Sequence, residues 1–190
     1  MAISLTKGNS LSLKKDDGSS LTNVRLGLGW DAAKRGFFGG GGEIDLDASA
    51  VLLASNGQPT DIVYFGQLGS KDGSIRHSGD NLTGDGDGDD EQISVNLSGI
   101  PANVQSVVFV ITSYSRQKFS SVQNVYARVV DTSAGEKEVV RYNLAESADN
   151  TANVIAKVTR DGSGWAFTAI GEYTNGKTAH DTLPVVSRHA

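Results

Sequence analysis

A short segment that alternates between apolar and polar residues directs this chain towards β structure. From Ile44 to Leu52 every second residue is apolar, so the segment has one apolar face and one polar face. This period of two is the pattern of a β-strand with one face against a core. Asp45 and Asp47 lie on the polar face, although aspartate is depleted in strands. The pair is either an ordinary polar face or part of a cation site.

Similar strand patterns recur along the chain, separated by Gly, Asn, Asp and Ser. The run from Val107 to Thr112 is apolar almost throughout and indicates a central strand buried on both faces. Helical periodicity is weak everywhere, apart from short helical turns. About ten short strands with polar turns predict an all-β fold, a β-sandwich of two stacked antiparallel sheets. A closed barrel has the same periodicity and stays open as an alternative.

The length and composition of the chain fit one globular domain. It has 190 residues, of which 38% are hydrophobic and 21% charged, enough for a core and without the charge excess of a disordered chain. We expect a single domain over residues 1–175. Residues 176–190 have no strand period and are expected to form a flexible C-terminal tail. The glycine run 39–42 predicts a mobile loop.

Several classes of function are disfavoured by the composition. The chain has no cysteine, which excludes disulfides, thiolate metal sites and thiol redox chemistry. No signal-like N-terminus and no bilayer-length apolar stretch are present, so we expect a cytoplasmic protein without direct membrane insertion. There is no basic stripe, which argues against nucleic acid as a partner. No serine-hydrolase elbow, phosphate loop or zinc-protease motif indicates catalysis.

The strongest chemical signal is the acidic, glycine-rich segment from Asp80 to Glu91. It holds six carboxylates and no base, whereas the whole chain has 22 acidic and 17 basic residues and a net charge of -5. Carboxylates this close together repel one another unless a cation neutralises them. Their oxygen atoms, on a flexible glycine-rich backbone, suit calcium better than magnesium, and the lack of nitrogen or sulfur ligands argues against zinc, copper and iron. A solvated acidic turn without metal is the alternative.

The acidic segment does not match the known repeating calcium motifs. An EF-hand frame that starts at Asp85 has Asp90 at its sixth position, where glycine is required, and Asn96 at its twelfth, where glutamate is required. A calcium-binding β-helix needs tandem copies of its repeat, and this chain has one copy. The segment therefore predicts a calcium loop of another kind.

Several segments taken together resemble the tellurium-resistance TerD family. They include VRLGLGWD at 24–31, IDLDAS at 44–49 and GDNLTGDGDGDDE at 79–91, and the likeness runs in order from Ser4 to Tyr173. The resemblance implies a β-sandwich that binds calcium, typically two ions, in a bacterial cytoplasmic protein linked to tellurite resistance and general stress response. It also implies protein partners in a membrane-proximal complex.

The resemblance also implies a set of metal-binding positions and a function. The matching positions are Asp31, Asp45, Asp47, Asp80, Asn81, Asp85, Asp87, Asp89, Asp90 and Glu91. We expect a calcium-binding, non-catalytic interaction or sensor module and no enzyme. Two alternatives stay open: a metal-dependent hydrolase acting on a phosphoester or glycoside, and a calcium-dependent binder of sugars or anionic lipid. Phe37 and Phe38, beside the glycine run, are candidates for contact with a partner.

Overall fold

The alternating segments form β-strands in a computed structural model that describes residues 2–32, 45–79, 88–133, 135–144 and 148–190. The strands within these ranges are β1 (Ile3–Leu5), β2 (Ser10–Ser12), β3 (Asn23–Ala32), β4 (Leu46–Leu53), β5 (Pro59–Val63), β6 (Ile75–His77), β7 (Glu91–Asn96), β8 (Ser106–Ser113), β9 (Val122–Asp131), β10 (Lys137–Asn143), β11 (Ala152–Asp161) and β12 (Gly164–Thr174). One helix, α1 (Ala179–Val186), follows the last strand. Short 3-10 turns lie at Leu97–Gly99, Phe119–Ser121 and Ser187–His189.

The strands form two six-stranded sheets, which confirms the predicted sandwich over the barrel. The first sheet has the order β1-β10-β9-β3-β7-β6, and the second has the order β2-β12-β11-β8-β4-β5. All pairs are antiparallel except β1 and β10, which run parallel. The predicted central strand is β8, which lies between β11 and β4 and is buried along its whole length.

The main hydrophobic core lies between the two sheets. β3 contributes Leu26, Leu28 and Trp30, β4 contributes Leu46, Ala48, Ala50 and Leu52, and β8 contributes Val107, Phe109 and Ile111. In each strand these are alternate residues, so the period of two read from the sequence selects the core face. The apolar face predicted for the segment that ends at Leu52 is thus confirmed from Leu46 onward.

A second apolar cluster covers the outer face of the second sheet. Val51, Leu53, Val108, Val110 and Val154 come from the strands, and Ala179 and Val186 come from α1. The polar residues of β4 on this face are also buried, with Asp47 3% and Ser49 1% exposed. The polar face of β4 is therefore a second buried face and not a solvated one.

The C-terminal segment differs from the flexible tail expected from the sequence. Its helix begins with a capping box, in which the Asp181 carboxylate accepts hydrogen bonds from the backbone N–H groups of Lys177 and Thr178. The apolar outer residues of β8 need cover, and α1 provides it. The helix is only eight residues long and contains Pro184, so it leaves no clear helical period in the sequence.

Those predicted metal residues that the structure describes lie at one end of the sandwich. β3 finishes there with Asp31 close to its end, β4 begins there after Asp45, and β7 begins there at Glu91. In the first sheet Leu28 is paired with Glu91, and Glu91 in turn contacts Ala48 of the second sheet. We call this region the acidic end, made up of Asp31, Asp45, Asp47, Asp89, Asp90 and Glu91. No helix in the described part of the chain is long and apolar enough to cross a membrane.

Candidate metal centre

Six of the ten predicted metal residues are described, and all six lie at the acidic end. The other four, Asp80, Asn81, Asp85 and Asp87, lie outside the described residues, as do Phe37, Phe38 and the glycine run 39–42. Within the described ranges, no three Asp, Glu or His side chains come together closely enough to hold a metal ion by themselves. The six described residues differ from one another in their surroundings.

Glu91 is fully buried and joins the two sheets. Its Oε2 accepts a hydrogen bond of 2.5 Å from the backbone N–H of Ala48 and lies 3.4 Å from Nε2 of His77. Nε2 of His77 is 3.1 Å from the carbonyl oxygen of Ala48, and the Gly79 N–H donates to Nδ1. This arrangement requires the imidazole to carry a proton at Nε2. Burial alone would lower the pKa of His77, but the Glu91 carboxylate raises it overall.

The end of β5 explains why Glu91 and His77 lie where they do. β5 is paired with β4 only between Ala50 and Leu53, so none of the described strands covers the edge of β4 at Ala48. A buried backbone N–H or carbonyl without a partner destabilises a fold substantially. Glu91 accepts from the N–H of Ala48, and His77 bonds its carbonyl. Together these two side chains provide the hydrogen bonds that a neighbouring strand would otherwise make with Ala48.

Asp89 is held by a guanidinium group and a phenol. Its Oδ1 accepts from Nε of Arg128 at 2.7 Å and from the hydroxyl of Tyr126 at 3.0 Å, and its Oδ2 accepts from Nη2 of Arg128 at 3.1 Å. The Asp89 side chain has no exposed surface. Burial and the nearby Asp89 charge raise the pKa of Tyr126 to about 12, and the hydrogen bond to Asp89 raises the pKa of Arg128.

Asp90 and Asp31 lie together where β3 ends and β7 begins. Asp90 Oδ2 accepts from the Trp30 N–H at 2.8 Å, and the Asp90 N–H donates to the carbonyl of Leu28. Asp31 Oδ2 accepts from the side-chain amide of Asn124 at 2.6 Å. Burial raises the pKa of Asp90, and the charges of Asp31, Asp89 and Glu91 raise it further. Negative charge is therefore concentrated at this point.

Asp45 and Asp47 approach the acidic end from the second sheet. Asp47 is buried within β4. Its charge helps to raise the pKa of His77, so these two side chains are close to each other. Asp45 is half-buried, and its carbonyl oxygen accepts from the Tyr114 N–H at 3.3 Å. The first sheet thus supplies Asp31 and Asp90, and the second supplies Asp45 and Asp47.

Among the described residues, four with side chains that contact this group are not site residues in the sequence-based prediction. They are His77, Asn124, Tyr126 and Arg128. One available signal was the pair of glycines in β3, because an interior strand glycine often marks a close approach by another group. A Cβ on Gly27 would lie 2.1 Å from the Asp89 carboxylate, and a Cβ on Gly29 would lie 2.4 Å from the Tyr126 ring. These glycines make room for the residues that hold the acidic end.

Comparison with known proteins gives the family. The TerD domain model matches residues 1–180. The chain belongs to the TerD family. Among its TerD-family relatives, the tellurium resistance protein TerZ of Serratia marcescens is 45% identical, with 94% of each chain covered. The stress response protein SCP2 of Bacillus subtilis is 44% identical over the full length of both chains. General stress protein 16U of Bacillus subtilis is 42% identical, with 94% of each chain covered.

A solved structure shares the fold of this TerD-family chain. It is the crystal structure of a homologue of telluride resistance protein (TerD) from Streptomyces coelicolor A3(2). It superimposes with a TM-score of 0.70 at 24% identity and covers 86% of this chain and 95% of the other. At this level of identity the likeness supports the sandwich fold alone.

Proposed function

We propose that this TerD-family protein is a calcium-binding, non-catalytic interaction module that serves tellurite resistance or a related stress response. The names of its relatives support the association with tellurium resistance and stress. The observation that carries the calcium proposal is the charge around Asp90. Its partly buried carboxylate lies near those of Asp31, Asp89 and Glu91, which raise its pKa. A bound cation would relieve this repulsion.

The chemistry of the donors fits calcium. Calcium takes six to eight oxygen ligands, mainly from carboxylates and carbonyls, in a flexible arrangement. Asp31 and Asp90 from the first sheet, with Asp45 and Asp47 from the second, would hold the ion or ions. The described carboxylates alone do not complete a site, so further oxygen atoms would come from Asp80, Asn81, Asp85 and Asp87. That number of donors would serve two ions.

Calcium would act by cancelling repulsion and fixing the two sheets to each other at this end. A ligand that binds only the folded state stabilises it by about 2.7 kcal/mol at a concentration 100 times its dissociation constant. The protein would then present a different, less negative surface when loaded. A change of this kind suits a sensor that meets a protein partner of a membrane-proximal complex in the cytoplasm.

Calorimetric titration of the chelator-stripped protein with calcium tests the binding. We expect saturable heat close to two ions per chain, and a melting temperature that rises more with calcium than with magnesium. Asp90→Asn should weaken the binding at least about tenfold, because it removes a charged oxygen donor. Asp16→Asn is the matched control, since Asp16 pairs with Lys137 at the start of β10, away from the acidic end. Flat heats with unchanged melting temperatures would overturn the proposal.

The interaction and non-catalytic parts of the proposal have their own tests. Amide hydrogen exchange with and without calcium should show protection across residues 45–48 and 88–91 on loading, as expected when a cation orders a charged segment. Unchanged exchange in a protein that binds calcium would contradict the sensor mechanism. Turnover of phosphoester or glycoside substrates that is lost in Asp90→Asn would contradict the absence of catalysis.

A further inference from the structure

The carboxylate of Asp89 has a cation of its own within the chain. Arg128 presents Nε to Oδ1 and Nη2 to Oδ2, so the two groups form a two-pronged pair, and the Tyr126 hydroxyl adds a third donor. Such pairs combine charge with fixed geometry and are stronger than neutral hydrogen bonds. The Arg128 guanidinium therefore offsets part of the Asp89 charge without any metal ion.

The surrounding residues fix this pair in place. Arg128 also donates from Nη1 to Glu138 at 2.9 Å, and Glu138 accepts from Arg141 on the same strand. The Arg141 guanidinium lies 4.2 Å from the centre of the Tyr126 ring. The single Tyr126 hydroxyl proton is shared between the carbonyl of Gly88 at 2.7 Å and Oδ1 of Asp89 at 3.0 Å. β9 and β10 therefore hold both the backbone and the side chain at the end of the acidic segment.

We propose that Arg128 is a built-in counter-ion which makes Asp89 an anchor of the acidic segment on the first sheet and not a calcium ligand. Arg128 is in this sense a positioning residue. It holds Asp89 so that the next residue, Asp90, lies directly before β7 with its carboxylate beside Asp31. The statement about calcium rests on the proposed function, whereas the anchor itself requires no metal ion.

The exchange of Arg128 for calcium at Asp89 would be unfavourable for two physical reasons. It would break two charged hydrogen bonds and the bond from Tyr126 in a site where the Asp89 side chain is fully buried. It would also leave the Arg128 guanidinium beside a divalent cation, where like charges repel.

A double-mutant cycle in chelator tests the anchor without any metal ion. Asp89→Asn and Arg128→Gln should each lower the midpoint of urea unfolding, and the double variant should lose no more than the more damaging single one. Arg128→Lys should also lose stability, because lysine retains the charge but not the two-pronged geometry. Arg25→Gln and Glu136→Gln form the control cycle, since Arg25 of β3 makes a charged pair with Glu136, which lies in the turn before β10 and is largely exposed. Losses that simply add for Asp89 and Arg128 would overturn the anchor.

Calcium titration of the same variants tests the assignment of Asp89. Asp89→Asn should bind calcium within about fivefold of the unmodified protein, the effect of a removed nearby charge, whereas Asp90→Asn should be far weaker. A loss in Asp89→Asn as large as that in Asp90→Asn would overturn the inference. The Arg128 Nε–H resonance should stay slow to exchange both in chelator and in calcium, and its loss on calcium addition would likewise count against it.

The two proposals fail in different ways. If the unmodified protein gives no calcium heat, the proposed function fails, but the double-mutant cycle still decides whether Arg128 anchors Asp89. If calcium binds and the cycle shows no coupling, the anchor fails while the calcium module stands.

Discussion

The carboxylate of Glu91 in β7 accepts a hydrogen bond from the backbone N–H of Ala48 in β4, with 2.5 Å between Oε2 and the nitrogen atom. This contact runs from one sheet to the other at the acidic end, where β5 no longer covers the edge of β4. His77 bonds the carbonyl of the same residue. A carboxylate that the sequence places in a calcium motif thus also satisfies the backbone of the opposite sheet.

Replacement of Glu91 by alanine should destabilise the protein whether or not calcium is present. The Ala48 N–H would be left buried without its acceptor and a small cavity would form, so we expect a loss of about 3 kcal/mol in the free energy of unfolding. Urea unfolding in chelator measures it. Glu91→Gln keeps an acceptor oxygen and should lose less. A loss in Glu91→Ala that appears only in calcium would instead identify Glu91 chiefly as a metal ligand.

Gly27→Ala should disturb the acidic end through a steric effect alone. The new Cβ would lie 2.1 Å from the Asp89 carboxylate, so Asp89 must move away from Arg128. We expect a loss of about 1–3 kcal/mol in the free energy of unfolding, as for other overpacked sites. Gly69→Ala is the control, because the nearest atom to its Cβ would be 3.9 Å away. Equal stability of the two variants would contradict the close approach of Asp89 to β3.

The sequence contains enough local information to predict the sheets. The period of two in β4 and the apolar run of β8 come from residues a few positions apart. The structure confirms the predicted core face of β4 and the predicted burial of β8 on both faces. The roles of Asp89 and Glu91 depend on contacts with Arg128 and Ala48, which are 39 and 43 residues away in the chain. No local pattern specifies such contacts, so the sequence predicts one uniform set of ligands for the acidic segment.

The C-terminal helix also depends on contacts with residues far away in the chain, and for that reason it is not predicted from the sequence. α1 has too few residues for a clear helical period. Its stability comes from packing on the apolar outer face of the second sheet, which lies far from α1 in the sequence. Asp47 is buried and lies on the same face of β4 as Val51 and Leu53, which belong to the cluster that packs against the helix. A prediction that treats the tail as unstructured therefore also predicts too much exposure for the polar face of β4.

Val186→Ala should show that α1 is packed on the second sheet. Val186 is completely buried in the second apolar cluster, and loss of its methyl groups should lower the free energy of unfolding by about 1–2 kcal/mol. Val185→Ala is the comparison one residue away and should lose less, because Val185 packs against the same cluster but is only half-buried. Thermal melts of both variants measure the difference. Equal and negligible effects would indicate that the C-terminal segment behaves in solution as the tail expected from its sequence.

Asp61 should make stability depend on acid pH independently of the metal centre. Burial alone would raise the pKa of Asp61, but hydrogen bonds from the Lys71 N–H, the Gln67 amide and the Ile62 N–H lower it overall. A carboxyl group with a lower pKa in the folded state adds stability above its unfolded pKa, and this stability is lost as pH falls through the folded value.

Urea unfolding between about pH 5 and about pH 3, around the usual aspartate range, should therefore show a steeper decline in the free energy of unfolding for the unmodified protein than for Asp61→Asn. At neutral pH the variant should be the less stable of the two, because an amide replaces one of the accepting oxygen atoms by a donor. Parallel pH profiles for the two proteins would mean that the carboxylate of Asp61 does not hold the connection between β5 and β6 as the hydrogen bonds indicate.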